Sequence, residues 1–162
     1  MQKKLVAFAE KQNPDNDFDY ERDKMVIFFD GDIFEEKVQG YDELILEIEK
    51  IDIAGVTNPG FELFLLFHIE GSYEQWIKGH DEEFLRVDEE GKYSYAYNVL
   101  RNLTGMNAKK NCEIGHLADN VLVAISQEKK INQDIHYLKG KVSSTIGKII
   151  EDIINEKPNI VV

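Results

Sequence analysis

Cysteine is almost missing from this chain: Cys112 is the one thiol among 162 residues. Neither a disulfide framework nor a multi-cysteine zinc site can be built from it, and a reducing compartment is the expectation. Long hydrophobic runs are missing too. The apolar stretch at residues 63–67 falls far short of the roughly 20 residues that a bilayer span needs. The start, MQKKLVAFAEKQ, lacks the apolar segment of a signal peptide. A cytoplasmic protein with no membrane partner is therefore expected. Repeats and low-complexity tracts are absent from the sequence as well, which leaves solenoids and linkers out of consideration.

Basic residues are the scarce charge, 19 Lys and Arg against 31 Asp and Glu, for a net charge of −12. The imbalance is uneven. Residues 1–100 hold 10 basic and 24 acidic side chains, whereas residues 101–148 hold 8 and 4. An acidic half that collects a metal and a basic segment that holds a polyanion would give this pattern; so would an acidic surface that keeps the chain solvated. Apolar residues make up 43% of the chain, with nine Phe, seven Tyr and one Trp. That is enough for a real core and excludes the disordered class. The length fits one domain, residues 1–162, with an α/β portion at 1–70 and a mainly helical portion at 71–162.

Residues 3–12 carry apolar side chains near one helical face, and Asn13-Pro14-Asp15-Asn16-Asp17 ends that pattern. Met25-Val26-Ile27-Phe28-Phe29 is too short for a helix and rich in strand formers, so it predicts a strand buried on both faces. Leu44, Ile45, Ile48 and Ile51 recur at helical spacing over 41–51, and residues 52–56 predict a second strand. Asn58 and Pro59 predict the start of a buried helix to about residue 70, Asn58 as its cap and Pro59 in its first turn. Strand, helix, strand, helix is the order of a parallel α/β layer. Helical spacing continues over 93–103 and 115–128, and Ser143-Ser144-Thr145 supplies capping hydroxyls for a last helix to about residue 156. Segments 105–115 and 129–141 are the expected mobile loops. Two parallel strands leave a sheet incomplete, so further strands are expected from a terminal segment or a second copy of the chain.

Asp30-Gly31-Asp32 follows the first strand. Carboxylates at i and i+2 around a glycine can converge on one cation at a strand's carboxyl end. Mg²⁺ suits them, since it takes oxygen ligands and needs only one or two carboxylates when phosphate oxygens complete its shell. Metal-assisted phosphodiester hydrolysis would follow. A solvated turn has the same residue preferences. Glu62, in the first helical turn, is either a third acid or a complement to the helix dipole. His68, between Phe67 and Ile69, is a core histidine or a ligand. Lys141, Ser144 and Lys148 surround a helix start whose amides could hold phosphate, and solvated lysines are the alternative reading.

The segment Thr57-Asn58-Pro59-Gly60-Phe61-Glu62-Leu63-Phe64-Leu65-Leu66-Phe67-His68, downstream of Asp30-Gly31-Asp32, resembles the RloB-like family. Its members carry Asn-Pro-x-Phe-Glu-x-Trp-Leu-x-x-His after an Asp-x-Asp at a strand end. Phe64 stands here in place of the Trp. Asn58, Pro59, Phe61 and His68 carry the motif, and the similarity runs from about Met25 to Glu156. It implies a Toprim-like α/β core, encoded near restriction or anti-phage defence systems, with Mg²⁺-dependent nuclease chemistry. Toprim sites carry a further Glu on a preceding strand and turn, and residues 1–24 show no matching pattern. Phe28-Phe29-Asp30-Gly31-Asp32 is also similar to the haloacid dehalogenase-type phosphatases, but Ile33-Phe34 replaces the Gly-Thr of that motif.

Two functions are thus expected in parallel. The first is a Mg²⁺-dependent phosphodiesterase or nuclease domain, in which Asp30 and Asp32 bind metal, Glu62 assists, and Lys141, Ser144 and Lys148 hold the backbone of a nucleic acid. The second is a non-catalytic interaction module or scaffold with a degenerate Toprim-like core. Its partner would be a second copy, as a homodimer, or a larger defence-system protein.

Overall fold

The computed structural model describes residues 18–19, 23–31, 40–86, 94–106 and 112–155. The predicted helix at 3–12 and Asp32 lie outside them. The architecture is α/β, with a small three-stranded mixed sheet and a mostly helical remainder.

β1 (Val26–Asp30) and β2 (Ile53–Asn58) pair in parallel, from Val26↔Ile53 to Asp30↔Thr57, and α1 (Tyr41–Glu49) connects them. α1 follows its sequence period, with Ile45 and Ile48 buried against Ala54 and Val56 of β2. β2 is the central strand, and all its residues after Ile53 are buried. β1 departs from expectation. It is half-buried, not buried on both faces, because among the described residues it lies at the sheet edge, and Phe28 is 49% exposed. The Phe28 ring lies across Gly55, its register partner, where a β-carbon would fall 2.3 Å from Phe28 Cδ1. Glycine at 55 is what lets that ring cover the sheet.

The predicted parallel sheet is corrected by its third strand. β3 (Ser143–Ser144) joins β2 antiparallel, Thr57↔Ser144 and Asn58↔Ser143. Residues expected to cap a helix are therefore in the sheet. Thr145 extends the ladder, its N–H donating to Val56 O at 3.0 Å and its Oγ1 accepting from Val56 N at 2.9 Å. The sheet is completed from the helical half of the chain, so the two portions read from sequence interlock.

α2 (Phe61–Phe67) begins later than predicted. Asn58 cannot cap it, because Asn58 is the last residue of β2 and its side chain is turned elsewhere; the Asn58–Pro59 peptide is cis, and Gly60 is the extended residue before the helix. From Leu63 to Phe67 every side chain of α2 is buried. A π-helical turn (Tyr73–Ile77), α3 (Asp81–Leu85), α4 (Tyr95–Thr104), a 3₁₀ segment (Cys112–Asn120), α5 (Val121–Glu128) and α6 (Ile146–Asn155) follow. Phe84, Leu100, Ala124 and Ile146 close the main core around α2. The buried amide of Gln127 ties α2 to the next turn: Nε2 donates to Phe67 O (2.6 Å) and Ile69 O (2.8 Å), and Oε1 accepts from Tyr73 N (2.9 Å) and Ser72 Oγ (3.3 Å). All four of its hydrogen-bonding positions are used, which is what makes its burial tolerable. No described helix is long and apolar enough to cross a membrane.

Candidate functional site

The carboxyl ends of β1 and β2 bring several of the expected residues together. Asp30 Oδ1 accepts from Phe61 N at 2.9 Å and from Thr57 Oγ1 at 3.3 Å. A carboxylate on one strand thus caps the helix that follows the other, in the place sequence assigned to Asn58. Gly31 N donates to Thr57 O at 2.6 Å, and a β-carbon on Gly31 would stand 3.0 Å from Asn58 Cβ, so the turn after Asp30 is pressed onto the end of β2. Glu62 approaches from the first turn of α2. A β-carbon at Gly60 would lie 3.2 Å from Glu62 Oε2 and 3.7 Å from Asp30 Oδ1, so both carboxylates border the space beside Gly60.

Asn58 has a different task. Its buried Nδ2 donates to Lys141 O at 2.9 Å and Leu138 O at 3.2 Å, hanging the 138–141 loop from the sheet end. Phe61 remains 46% exposed. His68 is a core residue: Nδ1 donates to Phe64 O at 3.0 Å, and its ring meets Phe64 edge-on at 4.9 Å. Burial lowers its pKa below 6.5, and hydrogen bonds to the Phe64 and Leu65 carbonyls partly offset this.

The expected phosphate site is otherwise arranged. Ser144 is buried and its hydroxyl donates to Glu128 Oε1; Gly147 N donates to the same oxygen at 2.9 Å, and Lys148 N to Oε2 at 2.9 Å. Gln133 Nε2 adds a bond to Oε2 at 2.9 Å. The amides at the start of α6 are thus already occupied by the chain's own fully buried Glu128 carboxyl group. Lys148 keeps an exposed side chain, and Lys141 Nζ lies 4.0 Å over the Tyr137 ring.

Neither protein-family models, curated proteins nor solved structures give a match to this chain. What the site can do follows from its donors. Among the described residues, no group of three His, Cys, Asp or Glu side chains is placed to hold a metal ion. Asp30 and Glu62 are donors of the type that Mg²⁺ takes, since that ion binds through one or two carboxylates and fills its shell with water and phosphate oxygens. Asp30 Oδ1 accepts the two bonds of its cap, and the structure shows Glu62 in no hydrogen bond or ion pair with another described residue.

Sequence reasoning missed Gln127, Glu128, Asn132 and Tyr137. Gln127 and Glu128 directly precede Lys129-Lys130, so their local pattern is that of an exposed helix end, and no signal there marks them as buried.

Proposed function

We propose that the carboxyl end of this sheet is a Mg²⁺-dependent phosphodiesterase site of nuclease type. The observation that carries the reading is the presence of the Asp30 and Glu62 carboxylates around Gly60, beside a loop that bears Lys139 and Lys141. Resemblance of residues 58–68 to the RloB-like family, with its Toprim-like core and its restriction and anti-phage associations, supports it. Mg²⁺ bound there would polarise a phosphodiester and lower the pKa of a bound water. The Phe61 amide and the Thr57 hydroxyl fix the Asp30 carboxylate, so its second oxygen is preoriented. Glu62 is a second metal ligand or orients the attacking water, and Asp32, two residues further along the sequence and outside the described residues, would be the third acid. Asn58 holds the Lys141 carbonyl, and with it the loop whose lysines would contact the scissile strand. Cleavage of DNA and RNA with Mg²⁺ or Mn²⁺ is the test, wild type against Asp30→Asn and Glu62→Gln. Metal-dependent cleavage lost in Asp30→Asn is expected; wild type no faster than that variant ends the reading.

A non-catalytic interaction module is the second reading. It is favoured by exposed apolar side chains on α5 and α6, with Leu122 67%, Ile153 55% and Ile154 54% exposed. Its partner would be a second copy or a larger defence-system protein. A strictly monomeric solution mass at high concentration counts against the homodimer.

A further inference from the structure

A cavity of about 500 Å³ opens beside Gly31, at the end of β1, lined further by Tyr41 and Asp42 of α1 and by His136, Tyr137 and Lys139. That volume is in the range of small-ligand sites. Residues 129–142 link α5 to β3 with no helix or strand, a length at which connections are commonly binding loops or disordered. Here the connection is fixed by side chains. Asn132 Nδ2 donates to Ser143 Oγ at 2.8 Å and Tyr137 O at 3.0 Å, and Asp134 Oδ1 accepts from His136 N at 3.0 Å. The Asn58 amide holds the carbonyls of Leu138 and Lys141.

On that frame Tyr137 is 64% exposed, with the Lys141 ammonium 4.0 Å from its ring centroid. His136 Nε2 is anchored 3.1 Å from Glu49 Oε2. Tyr41 forms a firm wall: its hydroxyl donates to Ile135 O at 3.1 Å, and burial, with the nearby charges of Asp42 and Glu49, pushes its pKa far up. An exposed aromatic ring with an ammonium over it and a second lysine in the same cleft suits a nucleobase and its neighbouring phosphate. Asp42 adds an acceptor that an exocyclic amine can use. A base inside a duplex has both faces covered by its neighbours, so only an unpaired base can stack here.

We propose that this cleft seats an unpaired base of a single-stranded nucleic acid, stacked on Tyr137, with Lys139 on the adjoining phosphate. The proposal rests on the phosphodiesterase reading and specifies its substrate class, and it is tested separately from catalysis. Fluorescence anisotropy with labelled single-stranded DNA and RNA oligonucleotides, and with the matching duplexes, is run in EDTA, where metal-dependent cleavage is silent. Single strands are expected to bind and duplexes to bind more weakly. Tyr137→Phe should keep wild-type affinity, while Tyr137→Ala loses about tenfold. Lys139→Gln should weaken binding and reduce its salt dependence by about one phosphate contact. Wild-type protein that binds single strands in EDTA yet shows no metal-dependent cleavage would keep this proposal while ending the phosphodiesterase reading, which separates the two. Absence of oligonucleotide binding at low salt, as expected of a surface for another protein, overturns the proposal. Equal affinity for duplex, or binding indifferent to Tyr137→Ala, overturns it as well.

Discussion

Asn58 shows how one side chain can belong to a different interaction from the one its neighbours suggest. Followed by Pro59 and an apolar run, it has the local features of a helix cap. In three dimensions its amide spans from β2 to the carbonyls of Leu138 and Lys141, 80 and 83 residues further along the chain. The cap it leaves open is taken by Asp30. Asn58→Ala would strand those carbonyls beside a buried gap, at a cost of about 1–3 kcal/mol. We expect chemical denaturation to show that loss, and hydrogen exchange to show faster opening of residues 138–141, with α4 unaffected. Glu128 is the counterpart on the helical side. Next to two lysines it reads as a surface acid, yet it is wholly buried and accepts from Ser144, Gly147, Lys148 and Gln133. Local sequence carries no mark of either role, because all the partners but Gln133 are 16 or more residues away along the chain.

At the scale of elements, legibility followed period. α1 and α4 stand close to where their apolar spacing places them; α4 also has a recognisable cap, Ser94 Oγ accepting from Tyr97 N at 3.1 Å, and a terminating Gly105 with φ 69°. β3 has two residues and therefore no period to detect, and its serines have poor strand propensity. It forms because Thr145 and Ser144 satisfy the open edge of β2. The α5–α6 junction is equally a tertiary product. A β-carbon on Gly147 would lie 2.7 Å from Glu128 Oε2 and 3.3 Å from Ile125 Cα. In an isolated helix Gly→Ala is stabilising by about 1 kcal/mol. Here the backbone of α5 cannot yield, so Gly147→Ala is expected to destabilise the protein by about 1–3 kcal/mol, read from the denaturation midpoint. An increase in stability would show that Glu128 is free to move away.

For the molecule as a whole, acid is expected to act through the core as well as through the surface. His68 is buried with its pKa lowered, so the unfolded chain binds its proton more readily than the folded one. Stability therefore falls as pH drops below 6.5, the unfolded value, and continues to fall until the lowered folded value is passed. Denaturation midpoints at pH 7.5 and 5.5 check this: wild type should lose more stability between them than His68→Asn, which keeps an amide N–H for the Phe64 carbonyl. Equal losses would mean that other groups govern the acid limb. Charge is also distributed at this scale. The first hundred residues carry a net −14, whereas the 129–142 loop brings Lys139 and Lys141 back to the end of β1. Composition alone cannot show that return, since it depends on which chain segments fold onto one another.

The α/β class is legible along the chain: strand formers in a short run, helical spacing after them, and a buried helix beginning near an Asn-Pro pair. Those are local properties, fixed by residues within a turn or two of one another. Only the tertiary structure decided that the sheet is mixed, that Asp30 caps α2, that Glu128 occupies the start of α6 and that Asn58 carries the lysine-bearing loop. Each of these joins groups at least 19 residues apart, as in the Glu128–Gly147 bond, the shortest of them. Hydrogen-bond donors and acceptors look alike in a sequence whatever their eventual partners, and burial chooses among them only when the chain has closed.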